Sequence, residues 1–239
     1  MRQILLAGCV LLLVSCARQT KEQAPRAKAF GAALVEVGGS KQIASIGTVL
    51  DQPVVVQVND AKGAAAAGAL VQVHVDRNGE ADPPSGLTGP DGQFTTMVRL
   101  GGTAGPYKVV ASTRDQSGKA IELRLDEVAL GFEETHGQQL ADLYCGRCHN
   151  SESSAERVSN HDNLTHNAHA FSEGAVLNAL SEADLTSVIA HGGPALNRSP
   201  EMPPFGYTLK KPDVAAMIAY IRAVADPPFR PKGAAYGKN

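Results

Sequence analysis

The sequence predicts two domains of different class: an all-β sandwich over residues 31–130, then a small all-α domain over residues 132–228. Three observations carry this reading. Apolar and polar residues alternate with a period of two through most of the first region, and glycine-rich turns separate the runs. Beyond residue 131 the apolar spacing changes to threes and fours, with helix start and stop signals. Near the start of that second region stands "CGRCH", which holds two of the chain's four cysteines with a histidine directly after them. The 239 residues suit two domains of about 100 residues each. A net charge of −2 with mixed signs argues against a nucleic-acid binder, which needs a basic excess.

The first sixteen residues, "MRQILLAGCVLLLVSC", have the form of an export signal. Arg2 gives a short positive start, and Ile4 to Val14 is an apolar run too short to cross a bilayer. The run ends in Leu13-Val14-Ser15-Cys16, which resembles the lipobox of bacterial lipoproteins. That resemblance implies a lipid on Cys16, which becomes the N-terminus, and a chain anchored to a membrane surface outside the cytoplasm. Ala17 after the cysteine implies the outer membrane in a cell that has one. Cys9, in "LAGC", fits the same pattern with less apolar sequence before it, and a signal cleaved without lipidation is the alternative. More than one acyl chain would make such an anchor firm. Residues 17–30 hold Pro25 and the basic residues Arg18, Lys21, Arg26 and Lys28, and read as a flexible tether. Processing at Cys16 would leave Cys145 and Cys148 as the only free thiols, so the exported chain is not a disulfide scaffold.

Over 31–130 each strand shows its own alternation. Val54, Val56 and Val58 share one face; so do Ala69, Val71, Val73 and Val75, and then Phe94, Thr96, Val98 and Leu100. "YKVVAST" and "IELRL" follow the same rule. Asn78-Gly79, Pro90-Asp91-Gly92, Gly101-Gly102 and Ser117-Gly118 supply turns. Short strands at this spacing predict an antiparallel sandwich. His74 falls on the outer face and reads as a surface residue. The region holds no pattern of acid pair, metal cluster or nucleophile with base.

Over 132–228 three helices are expected. "ETHGQQLADLY" places Leu140, Leu143 and Tyr144 on an apolar side. "SEADLTSVIAHGGP" opens with Ser181 as N-cap and Asp184 three residues on, carries Leu185, Val188 and Ile189 as its stripe, and stops at Gly192-Gly193-Pro194. "KPDVAAMIAYIRAVADPP" has Pro212 in its first turn, a stripe of Val214, Met217, Ile218, Ile221 and Val224, and a stop at Pro227-Pro228. This core is thin for its length, so something besides side chains should fill it. Residues 229–239 form a C-terminal tail.

Cys145-Gly146-Arg147-Cys148-His149 has the spacing of a c-type haem attachment site. Two thiols three positions apart can bond two vinyl groups of one porphyrin as thioethers, and the next histidine then sits beneath the ring as an iron ligand. A thioredoxin-like dithiol would need a strand–helix–strand setting that is absent here. Zinc remains a rival by spacing, because His161, His166 and His169 in "HDNLTHNAH" offer further ligands. Met202 in "SPEMPPFG" is the favoured second axial ligand, since Pro203 and Pro204 stiffen its loop. His191 is the alternative. Met217 reads as core packing, and His136, His161, His166 and His169 as solvent-facing or loop residues.

Two family resemblances follow from these motifs. "VVVQVNDAKGAAAAGALVQVHV" and "SGLTGPDGQFTTMVRLGGTAGPYKVVAST" resemble the bacterial immunoglobulin-like domains of the invasin and intimin type, mostly spacers or adhesive modules. Gly137, "CGRCH", "ADLTSVIAHGGP", "MPPFG" and "MIAYIR", in that order, resemble a class I monohaem cytochrome c. This resemblance implies one covalent haem c on Cys145 and Cys148, iron ligation by His149 and Met202, and a crossing of first and last helices with Gly137 against Tyr220. With both ligand positions filled and the lipobox-like signal in front, the expectation is a membrane-anchored carrier, not an enzyme, that passes single electrons between exported redox proteins. Three features depart from the family: Ala141 where an aromatic is usual, no proline-bearing proximal loop around "HDNLTH", and "ALNRS" inserted before the methionine loop. The alternatives are an adhesion or structural lipoprotein with an ancillary haem, and a haem sensor or redox-enzyme subunit in which Met202 leaves the iron.

Overall fold

A computed structural model describes residues 26–150 and 158–231. The proposed lipid-bearing Cys16, together with Cys9 and the start of the tether, lies outside the described residues. Among the described residues nine strands come first: β1 (Ala33–Gly38), β2 (Ile43–Ser45), β3 (Val54–Asn59), β4 (Leu70–Val75), β5 (Glu80–Asp82), β6 (Ser85–Leu87), β7 (Gln93–Arg99), β8 (Gly105–Arg114) and β9 (Ala120–Leu130). Five helices follow: α1 (Phe132–Tyr144), α2 (Gly146–His149), α3 (Gly174–Leu177), α4 (Glu182–His191) and α5 (Lys211–Ala223), with short 3-10 turns at His161–Asn163 and Gly193–Leu196.

The strands form two sheets, ordered β1-β3-β7-β5 and β2-β9-β8-β4-β6. The alternation read from the sequence is the alternation of burial. Val54, Val56 and Val58 face inward with Val71, Val73, Val75, Phe94, Val98 and Leu100. Each such side chain is worth roughly 1.5–3 kcal/mol on leaving water. His74 is exposed, as expected. Two details differ from the sequence reading. The sandwich is not wholly antiparallel, because β2 pairs with β9 in parallel; the chain crosses from one sheet to the other between β1 and β2. The fold also begins before residue 31, since the Lys28 and Ala29 amides donate to the Gly68 carbonyl at 2.8 and 3.2 Å.

One buried acid sits in the sandwich. Glu127 on β9 is 1% exposed; its Oε2 accepts from the Gln42 amide at 2.7 Å, and its Oε1 has no hydrogen-bond partner among the described residues. Loss of hydration pushes its carboxyl up from 4.5 to about 7, against the Gln42 bond and with help from Glu36 and Asp126. The folded state therefore holds this proton over a range in which the unfolded chain has released it. Stability should fall as pH rises from about 4.5 to 7 and stay lower above that window. We expect the urea midpoint of the sandwich to be lower at pH 8 than at pH 5, and Glu127→Gln to remove most of the difference. Equal pH dependence in both proteins would refute this.

A single residue, Gly131, links β9 to α1. Leu130, Ile43 and Val128 of the sandwich pack into the helical core, and the Ser45 and Thr135 hydroxyls lie 3.0 Å apart across the junction. Within the helical region α1 and α5 form the principal crossing. Gly137 stands against Tyr220 as the resemblance implies, but of the apolar side read for α1 only Leu140 packs on the core. Gly137 and Ala141 are buried, whereas Leu143 is 71% exposed and Tyr144 is 38% exposed. The reason is the closeness of the helices: a Cβ on Gly137 would stand 2.0 Å from the Ala216 carbonyl oxygen and 2.9 Å from the Tyr220 Cβ. Only a face of small residues permits that approach, and it turns Leu143 away.

The α5 stripe of Val214, Met217, Ile218, Ile221 and Val224 is buried as expected. Ser181 caps α4 in a full capping box with Asp184. The region is not purely helical, because Glu173 and Asp226 form an isolated parallel bridge. Phe229, in the segment read as a tail, lies under the Arg222 guanidinium at 4.0 Å.

Candidate functional site

The "CGRCH" run folds as one turn directly after α1. The amides of Cys148 and His149 both donate to the Cys145 carbonyl at 3.0 Å. Positions three and four apart on such a turn share a face, so Cys145, Cys148 and His149 lie on one side of it. Both cysteines are free thiols; Cys145 is buried and Cys148 partly so. Burial, with Cys148 adding to it, pushes the Cys145 thiol up to about 12. A thiol so reluctant to ionise is a poor redox nucleophile, which counts against the dithiol reading.

His149 is fixed from two sides. Its Nδ1 lies 2.7 Å from the His169 carbonyl oxygen, to which it donates. Its ring stacks on Phe171 at 4.7 Å between centroids and 14° between planes. Burial pushes its pKa down, and the bond to His169 only partly counters this. The imidazole is therefore held neutral with its proton on Nδ1, which leaves the Nε2 lone pair available as a ligand.

Met202 is placed by the end of α4. That helix stops at Gly192, whose φ of +81° favours glycine, and a Cβ there would meet the Met202 carbonyl oxygen at 2.6 Å. The Phe205 and Gly206 amides donate to the carbonyls of Ile189 and Ala190 at 3.0 and 2.9 Å, filling acceptors that the helix end leaves open. The Gly193 amide donates to the Met202 carbonyl at 3.0 Å. The "HGGP" and "MPPFG" motifs are thus one unit, with "ALNRS" making the 3-10 turn and the loop between them.

All four sequence-predicted residues, Cys145, Cys148, His149 and Met202, line a single cavity of ≈ 740 Å³. Its walls are largely apolar and include Phe171, Leu185, Ile189, Phe205, Met217 and Ile221. Met217 thus belongs both to the core stripe and to the cavity wall. The rival ligand His191 is exposed and does not line the cavity. Among the described residues no three His, Cys, Asp or Glu side chains come together as a metal site, so the thiol pair has no set of partners for zinc. His136 meets Asp213 at 3.1 Å, and His161 meets Asp162 at 3.0 Å. Two histidines read as loop residues matter more than expected: His166 lines the cavity, and His169 supplies the carbonyl that holds His149. Sequence reasoning missed that carbonyl because a backbone acceptor leaves no mark on residue type; it also missed Phe171.

Comparison with known families agrees with this geometry. Residues 133–221 match the family described as "Cytochrome C oxidase, cbb3-type, subunit III". The chain therefore carries a cytochrome c domain of the cbb3 type, preceded by an all-β region with intimin and invasin neighbours. The solved structure "D00-D0 domain of Intimin" is 17% identical, covers 46% of this chain and 51% of its own, and has a TM-score of 0.32. The "D0-D1 domain of Intimin" is 13% identical, with coverage of 43% and 49% and a TM-score of 0.31. "Invasin: a bacterial integrin-binding protein" is 20% identical, with coverage of 41% and 19% and a TM-score of 0.32. The chain spans about half the length of the two intimin structures. No curated protein matches the chain.

A cytochrome c domain implies haem c and electron transfer through it. The residues present fit that group. The cavity lies within the roughly 300–1,000 Å³ usual for cofactor sites, its lining is apolar, and its donor set is two thiols, a neutral imidazole and a thioether.

Proposed function

We propose that residues 132–228 hold one haem c, bonded covalently to Cys145 and Cys148, with His149 and Met202 as axial ligands. The chain would act as a membrane-anchored carrier of single electrons between exported redox proteins, not as an enzyme. The anchor would be a lipid on Cys16, at the periplasmic face of a membrane or at the cell surface. The observation that carries the site assignment is the convergence of all four side chains on one apolar cavity.

A haem c, when bound, supplies reversible one-electron iron chemistry. The chain's residues do the rest. Cys145 and Cys148 would hold the group as neutral thioethers, so their burial carries no charge into the apolar wall. His149 would offer Nε2 to the iron, while the His169 carbonyl holds its Nδ1 proton, fixes the ring and raises its basicity. Met202 would offer a soft thioether, a donor that favours the reduced state. Two such donors from the chain would leave substrates no place at the metal, which would favour a carrier over a sensor or an oxygen-activating enzyme. Leu185, Ile189 and Ile221 give the cavity an apolar wall, which would limit the solvent that must reorganise when charge changes.

The test is an optical spectrum of the wild type and of Met202→Ala. We expect a near-infrared sulfur-to-iron band in the oxidised wild type and its loss in the variant. A band that survives the substitution would sink the Met202 assignment.

A further inference from the structure

We propose that Glu173 is a positioning residue for His149: its carboxylate clamps the turn 169–173, so that the His169 carbonyl and the Phe171 ring stay locked on the imidazole. This rests on the axial-ligand reading above and deepens it.

Glu173 uses both of its oxygens on the turn. Oε2 accepts from His169 Nδ1 at 2.9 Å, and Oε1 accepts from the Ala170 amide at 2.9 Å. The Glu173 amide closes the same turn on the Ala170 carbonyl at 2.9 Å. Two residues of this turn touch His149. His169 accepts its Nδ1 proton, and Phe171 stacks on its face. Phe171 also meets Tyr220 of α5 edge-on, at 6.1 Å and 76°. The imidazole, the Phe171 ring and α5 are thus stacked in series.

The far side of the turn is fastened as well. The Asp226 amide donates to the Ser172 carbonyl at 2.8 Å, and the Gly174 amide donates to the Asp226 carbonyl at 3.0 Å. A Cβ on Gly174 would lie 2.3 Å from the Pro227 carbonyl oxygen, so the two segments are in close contact. Backbone bonds therefore fix residues 172–174 to the chain after α5, and the Glu173 side chain, with its amide bond to the Ala170 carbonyl, fixes residues 169–170 to them. Charge assistance from an ionised carboxylate makes these two bonds stronger than neutral ones.

An acceptor on Nδ1 makes an imidazole more basic and favours the oxidised metal. Loosening the clamp should therefore raise the midpoint potential. The experiment is a redox titration of the holoprotein at fixed pH for the wild type, Glu173→Gln and Glu173→Ala. Nuclear magnetic resonance of the His149 Nδ1 proton runs alongside. At equal solution potential we expect the oxidised-to-reduced ratio to fall about tenfold in Glu173→Ala, equivalent to ~59 mV. The Nδ1 proton should exchange with solvent at least tenfold faster. Glu173→Gln, which keeps one acceptor, should restore part of both; if Glu173→Ala does not yield folded protein, Glu173→Gln alone must still shift both readouts.

His169→Ala keeps the carbonyl and the Ala170 bond, and should shift the potential less than Glu173→Ala. An unchanged ratio and unchanged proton exchange in both Glu173 variants would overturn the proposal. The sulfur-to-iron band in the wild type separates the two claims. Its absence there would break the axial-ligand reading, whereas its presence with unshifted variants would break the Glu173 clamp alone.

Discussion

Gly137→Val is expected to destroy the helical domain. The added side chain would place a Cβ 2.0 Å from the Ala216 carbonyl oxygen and 2.9 Å from the Tyr220 Cβ. Two of these neighbouring groups cannot give way cheaply, since one is backbone and the other is the root of a buried side chain. Helices α1 and α5 must move apart, and the stripe of Met217, Ile218 and Ile221 then loses its cover. Overpacking of this kind costs about 1–3 kcal/mol in ordinary cores, and backbone contact puts this site at or above the upper end. Circular dichroism during thermal unfolding should show the helical signal lost well below the wild-type temperature, with the sandwich transition nearly unmoved. A variant that melts like the wild type would mean that the two helices do not approach at this glycine.

His149→Ala has the second largest expected effect, and it falls on the site. The substitution removes the imidazole, leaves the His169 carbonyl without its 2.7 Å donor and takes the stacking partner from Phe171. His169 is exposed, so water can take the donor's place at its carbonyl, and the effect falls on the ligand position more than on stability. The thiols at 145 and 148 are untouched, so the covalent link should survive while the low-spin spectrum is lost. Added imidazole should fill the gap and bring that spectrum back. A low-spin spectrum in His149→Ala without added imidazole would show that another side chain holds this position.

Much of the architecture was open to reading because its physical cause repeats along the chain. Val54, Val56 and Val58 alternate because a strand shows opposite faces at successive residues. Met217, Ile218 and Ile221 repeat because a helix returns to one face after three or four. The Ser181 cap and the stop at Gly192 mark α4 for the same local reasons. β2 gave no such signal: three residues are too few for a period, and its parallel partner β9 lies far along the chain. The α1 face was misread because close packing there selects small residues, Gly137 and Ala141, and not large apolar ones. Leu143 looked like core and is left outside it, while Tyr144 stands on the cavity wall against Phe205.

The site divides in the same way. Cys145, Cys148, His149 and Met202 are chemically distinctive side chains at fixed spacings or in a marked loop, and the sequence points to each of them. What orients them is less visible. The His169 carbonyl, the Ile189 and Ala190 carbonyls that receive the methionine loop, and the Glu173 clamp depend on where the backbone runs after folding. The sequence shows no proline-bearing loop around "HDNLTH" and so marks no acceptor for the His149 proton. The acceptor lies further along, at His169, with Leu164 kept on the cavity wall.

The central claim is that one haem is bonded to both cysteines. The most direct measurement is the intact mass of the wild type, unfolded in denaturant and treated with a thiol-alkylating reagent. The account predicts the mass of the polypeptide plus a single haem, with neither Cys145 nor Cys148 alkylated. A chain that loses the haem on unfolding, or that takes the reagent at either cysteine, would contradict it.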